Sequence, residues 1–179
     1  MDAALPENLV PNRDCGDCNV CCSVYEIRQP ELQKPAHVLC PNWSEAGHCT
    51  IYDTRPLPCR TFFCVWRKAA SLDDWWRPDR CGVAIRETAQ DIPDHFPRRA
   101  GLAFDLVGGR AVIGDDRFIT AVASQIAAGV PMILLVPGKT GSGRIFLNDR
   151  MAAAVASRSR ALLVRELENA LADAEAAAP

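Results

Sequence analysis

The chain has 179 residues, a net charge of −2 and an ordinary hydrophobic share of 49%. That length holds one domain with a real core, or a small module joined to a second one. Near-neutral charge with no Lys/Arg-rich tract leaves no electrostatic footprint for nucleic acid, and the longest apolar stretch, residues 130–137, is too short to span a bilayer.

Residues 1–14 read as an irregular arm. They carry neither the basic region nor the apolar region of a secretory signal, which places the chain in the cytoplasm. Thiols stay reduced there, so cysteines are expected to bind metal and not to form a disulfide framework. All nine cysteines then fall between positions 15 and 81: Cys15, Cys18, Cys21, Cys22, Cys40, Cys49, Cys59, Cys64 and Cys81. The run opens as Cys15-x-x-Cys18-x-x-Cys21-Cys22, and thiols at this spacing reach one ion from a single tight loop or helical turn.

If that run were helical, Cys15, Cys18 and Cys22 would lie within about 60° of one another, with Cys21 about 100° from Cys22. Cys21 and Cys22 would then serve different sites, or one would be a spare thiol. A knuckle-like loop would remove this geometric argument. Residues 12–82 as a whole are rich in Cys, Pro, Trp and Arg and poor in long periodic segments. They read as a loop-rich module held by its metal. Short helical turns are predicted over 61–70 and 71–76.

A second block runs Cys49-Thr50-Ile51-Tyr52-Asp53-Thr54-Arg55-Pro56-Leu57-Pro58-Cys59-Arg60-Thr61-Phe62-Phe63-Cys64. Pro56 and Pro58 are expected to hold the chain extended ahead of Cys59. Arg55 and Arg60 are the candidate cofactor-side cations, because four thiolates on a divalent ion leave a net charge of about −2 that nearby donors offset. Cys81 is a ninth candidate ligand, with a small buried apolar role as the alternative. His48 reads as a surface or core histidine, and the tryptophans Trp43, Trp66, Trp75 and Trp76 as core.

Together these motifs resemble the cysteine-cluster family named for its C-x-x-C-x-x-C-C signature and described as zinc- or iron-chelating. The resemblance covers about residues 12–82. It continues downstream as Cys49-x-Ile51-Tyr52-x-x-Arg55-Pro56-x-x-Cys59-Arg60-x-Phe62-x-Cys64. It implies metal or iron–sulfur binding through Cys15, Cys18, Cys21, Cys22, Cys40, Cys49, Cys59 and Cys64. Two related patterns are absent. A bacterial ferredoxin would carry a fourth cysteine at position 25, which is Tyr25, and C-x-x-x-C-x-x-C does not occur.

All-thiolate ligation suits an iron–sulfur cluster, placed first here, and zinc. Eight ligands allow two four-thiolate sites, one cluster with a structural ion, or one site with spare thiols.

The second half has conventional patterning. A strand is predicted over 82–87, then a connector to residue 100. Leu102–Val107 and Arg110–Ile113 flank Gly108-Gly109, a two-residue hairpin signal. Asp115 or Asp116 caps a helix to about Ala128, ended by Gly129 and Pro131. Met132–Val136 reads as a buried strand, 137–143 as a mobile loop and 144–147 as another strand. Gly138-Lys139-Thr140 is not a phosphate loop, because the first glycine of that motif would fall on Ile133. Asn148 or Asp149 caps one long Ala-rich helix carrying the stripe Leu163, Leu167 and Leu171, with residues 172–179 fraying.

The expected class is therefore α+β: a metal-stabilised cysteine module at 12–82, then a small α/β part at 101–179 with a long C-terminal helix. The expected function is metal binding with a redox or electron-transfer role. The alternatives are a structural zinc module that mediates protein interaction, and a metal chaperone or sensor. An iron–sulfur oxidoreductase component is the enzyme class left open, with no nucleophile–base pair identifiable; the partner is the metal ion, and no redox or protein partner is specified.

Overall fold

The protein is α+β. The computed structural model describes residues 8–138 and 141–179. The chain divides into two compact units, Met1–Ala84 and Ile85–Pro179.

The first unit contains all nine cysteines in short elements. Helix α1 (Val20–Val24) is followed by a small hairpin of β1 (Ile27–Gln29) and β2 (Leu32–Lys34), antiparallel with Ile27 opposite Lys34 and Gln29 opposite Leu32. The hairpin has no strong sequence signal, and its strands are only three residues each. Helices α2 (Leu57–Thr61), α3 (Val65–Lys68) and α4 (Pro78–Cys81) follow, with 3₁₀ turns at Tyr52–Thr54 and Asp74–Trp76.

Several expectations need correction here. Pro56 is extended, but Pro58 occupies the first turn of α2, where a missing N–H costs nothing. Cys59 is therefore helical. The turn predicted over 61–70 is split by Phe62 and Cys64, both in extended backbone. Part of the irregular arm is tied down. Val10 N–H donates to Arg67 O at 2.9 Å, and the Arg13 guanidinium donates to the carbonyls of Trp66, Ala69 and Leu72.

A four-stranded sheet, of which all but Val83 and Ala84 belongs to the second unit, has the order β3 (Val83–Thr88), β4 (Gly101–Leu106), β5 (Met132–Pro137), β6 (Ser142–Phe146). β4 and β5 are parallel, with Leu102 opposite Met132, and β5 and β6 are antiparallel. Helix α5 (Asp116–Ala127) makes the crossover between the parallel pair. Asp115 caps it, accepting from the Arg117 N–H at 2.8 Å, and Phe118, Val122 and Ile126 form its buried stripe. β5 is buried along nearly its whole length, as an interior strand covered on both faces must be.

The hairpin expected at Gly108-Gly109 does not form. A type I′ turn needs positive φ at both central residues, and Gly108 has φ −95°. Residues 109–114 instead form a 3₁₀ turn that buries Val112 and Ile113. Strand pairing reaches into both ends of the segment read as a mobile loop, with Pro137 opposite Ser142; Lys139 and Thr140 lie outside the described residues.

The single long helix is two: α6 (Leu147–Ser157) and α7 (Arg160–Ala177). Arg158 adopts φ +54° between them, and Ser159 caps α7 by accepting from the Leu162 N–H. Neither Asn148 nor Asp149 is the cap of α6. Asn148 is buried inside it, where Oδ1 accepts from Met132 N–H at 2.7 Å and Nδ2 donates to Val130 O at 2.8 Å. The expected fraying is also absent: Leu163, Leu167 and Leu171 are buried, and the helix continues through the buried Ala174 to Ala177. The α7 backbone at Ala174 lies so close to Gly143 that a Cβ there would collide with the Ala174 carbonyl.

Asn148→Ala should destabilise the second unit by about 2 kcal/mol, because it leaves a buried N–H and a buried C=O unpaired. Denaturant unfolding followed by the helical circular dichroism signal checks this, and an unchanged midpoint would refute it.

Candidate metal centre

All nine cysteines are free thiols. Cys18, Cys40 and Cys81 are buried and the other six are half-buried. As placed, no three Cys, His, Asp or Glu side chains among the described residues converge at metal-ligand range. The first unit nevertheless brings the thiols into close neighbourhoods, and the donor chemistry fits a thiophilic metal.

Around the small hairpin, Cys22 and Cys59 pack against the buried Ile27, Leu32 and Cys40. Cys40 N–H donates to Cys22 O at 3.0 Å, and Trp43 N–H donates to Cys40 O at 3.0 Å. Trp43 is in turn bridged to Cys49 in antiparallel fashion. The second neighbourhood is built on turns. Cys18 N–H donates to Cys15 O at 2.9 Å across Gly16, whose φ is +52°. Asp17, between those two cysteines, pairs with Arg77, which also pairs with Asp79 at 2.8 Å. Asp79 reaches the Cys18 sulfur and stands two residues from Cys81.

Cys21 and Cys22 are consecutive on α1, as the adjacent-cysteine argument requires, although Cys15 and Cys18 precede the helix. The Cys21 thiol donates to the Cys22 sulfur. That bond, with Lys34 and Arg55 nearby, pulls the Cys22 thiol down, while the same bond and burial push Cys21 well above the usual thiol range. Burial raises Cys15, Cys59 and Cys64, and raises Cys18 and Cys81 to about 11.

Two cations that sequence reasoning missed stand among these sulfurs. Lys34 is 2% exposed, and its Nζ donates to the carbonyls of Ser23, Pro35 and Val38 at 3.1, 2.8 and 2.7 Å. The charges that act on it are Cys40, Cys22, Cys21 and Cys59, while burial lowers its pKa. Nothing in the sequence marked Lys34, because the pairing that buries it is a three-residue strand. Arg67 is buried on α3 with Nε and Nη1 unpartnered, and it acts on Cys15 and Cys64. Its position three residues after Cys64, one helical turn, was the available signal.

Of the predicted cations, Arg55 acts on Cys15, Cys22 and Cys59. It is held by Nε donating to Tyr52 O at 2.7 Å and by its guanidinium lying 3.6 Å from the Tyr52 ring centre. Arg60 sits on α2 beside Cys59, with a buried Nε that has no partner. His48 is a surface residue bonded to Ser44 Oγ at 3.1 Å. Trp66 and Trp76 are buried, as expected of core residues.

A scan against protein-family models found none that matches, and searches of curated proteins and of solved structures likewise returned no match.

A raised thiol stabilises the folded metal-free chain below the ordinary thiol value near 9, and that stability is lost as pH climbs toward about 11. Urea unfolding of the reduced, metal-free chain, read by tryptophan fluorescence, should therefore show stability falling across this window. A flat profile would contradict the burial of Cys18 and Cys81.

Proposed function

We propose that the chain is a metal-binding protein whose first unit holds an iron–sulfur or zinc centre on cysteine thiolates, with electron transfer as its role in the iron–sulfur form. The observation that carries this reading is Lys34. A buried ammonium is costly unless negative charge compensates it, and the groups that act on it here are sulfurs. Neutral thiols do not compensate a cation, whereas metal-bound thiolates do. The unpartnered nitrogens of buried Arg67 beside Cys15 and Cys64 support the same conclusion.

Cys15, Cys18, Cys21, Cys22, Cys40, Cys49, Cys59, Cys64 and Cys81 are the residues that would hold the group. An iron–sulfur cluster supplies one-electron redox chemistry when bound, and zinc supplies folding energy without redox activity. Lys34, Arg55 and Arg67 would offset the added negative charge of a reduced state, which favours the iron–sulfur form. The zinc form has its own support in the short helices and three-residue strands of this unit, which suit a module stabilised by metal. The spacing resemblance to the zinc- or iron-chelating cysteine-cluster family agrees with both. Among the described residues no helix is long and apolar enough to cross a membrane.

Anaerobic purification of the full chain, with iron, zinc and acid-labile sulfide measured per chain, tests the proposal. Brown protein with sulfide supports the iron–sulfur form, and colourless protein with stoichiometric zinc supports the structural form. Protein that carries no metal and takes up neither iron with sulfide nor zinc would refute both. Cys18→Ser should lower bound metal and weaken the transition reported by tryptophan fluorescence. Unchanged metal content and stability in that variant would remove Cys18 from the site.

A further inference from the structure

We infer that the second unit carries a docking groove for an amphipathic helix of a partner protein, apolar along one face and bearing carboxylate side chains near one end. The inference is independent of the metal-binding reading, since no cysteine lies in this unit.

The groove, about 530 Å³ in volume, lies along α5 and is closed by the end of α6 and the start of α7. The α5 side chains that line it stand at positions 116, 119, 120, 123, 124 and 127. That alternation of three and four returns to one face of a helix. α5 thus has two faces to pack. Phe118, Val122 and Ile126 fill one, inside the core. On the other, Thr120, Ser124 and Ala127 are exposed, and they are small enough for a second helix to approach closely. The row is about 16 Å long, three helical turns.

The floor of the groove is apolar. Ile119 and Leu163 are buried, and Ala123 and Val155 are half-buried. Covering what remains of this surface is the gain a partner brings. An extended peptide would need a sheet edge to satisfy its backbone groups. This groove offers helix side chains at helical pitch, which mate with the ridge of another helix.

Charge decides what that helix must carry. The charged lining residues gather at one end as Asp116, Arg158 and Arg160. Asp116 is already engaged: Arg160 Nε donates to its Oδ1 at 2.7 Å, and Arg160 also donates to Gly114 O at 3.2 Å. The Arg158 side chain is exposed and, among the described residues, has no hydrogen-bond, ion-pair or ring partner. Two arginines against one aspartate leave one net positive charge, which a carboxylate complements. Arg158 also holds φ +54°, a conformation that strains a residue with a side chain and that glycine commonly fills at the end of a helix. An outlier of this kind, at the rim of a groove, points to a use for the side chain.

Fluorescence anisotropy with labelled synthetic peptides tests the inference on the full chain. The probe is a helical peptide of about 14 residues with Leu and Ala on one face and glutamates at its C-terminal end. A second peptide carries lysines in place of the glutamates. The glutamate peptide should bind, and the lysine peptide should bind roughly tenfold more weakly, an attraction lost and a repulsion gained. Arg158→Glu should reverse that order. Arg158→Gly should lose the discrimination without lowering the urea midpoint, because it removes charge and strain together. Ser124→Trp, which fills the groove from an exposed position, should abolish binding of both peptides. No binding by the glutamate peptide, equal binding of the two peptides to the unmutated chain, or binding that survives Ser124→Trp overturns the inference. So does sedimentation showing a dimer that Ser124→Trp returns to monomer, because the occupant is then a second copy of the chain. If Ser124→Trp fails to fold, the two Arg158 variants still decide.

Discussion

The first unit is organised around a charge that water does not reach. Lys34 gives up solvent for three carbonyl oxygens, with Cys40, Cys22, Cys21 and Cys59 near enough to act on its charge. Three neutral acceptors satisfy its N–H groups but leave its charge uncancelled. Everything nearby is arranged around that fact. The hairpin that carries Lys34 also supplies Ile27 and Leu32, the apolar floor on which Cys22, Cys40 and Cys59 lie. A buried cation without anionic partners is among the more expensive single defects a small module can carry.

A second arrangement repeats the logic with arginine. Arg67 is buried with unpartnered nitrogens on a four-residue helix that starts just after Cys64. The arm preceding the first cysteine is fastened to that same helix, by Val10 on the Arg67 carbonyl and by Arg13 on its neighbours. The position of Cys15 relative to Cys64 is thereby set by backbone carbonyl acceptors.

How much of this was legible in the sequence depends on the length of the element concerned. α5, β5 and the Leu163–Leu167–Leu171 stripe were readable, because a long periodic segment states its own burial. Failures came where one or two residues decide. Gly108-Gly109 looked like a hairpin turn, but the burial of Val112 and Ile113 won over local turn preference. The break at Arg158 was hidden by an alanine-rich background that favours helix on both sides. Asn148 looked like a cap because its residue type favours caps, yet its amide is spent on joining Val130 and Met132. The cysteines were visible at once as donors, whereas their neighbourhoods depend on contacts across dozens of residues. No spacing rule carries that information.

The four tryptophans, at 43, 66, 75 and 76, all belong to the first unit, whereas the three longest helices all belong to the second. The chain therefore carries a separate optical reporter for each part. Ultraviolet emission follows the sulfur-rich part, and the amide signal near 222 nm is dominated by the hydrocarbon-packed part. The second core, built on Phe104, Phe118, Met132, Leu134, Met151 and Leu167, has no thiol in it and no reason to respond to a chelator. A single cuvette can thus resolve which of the two parts a given reagent has touched.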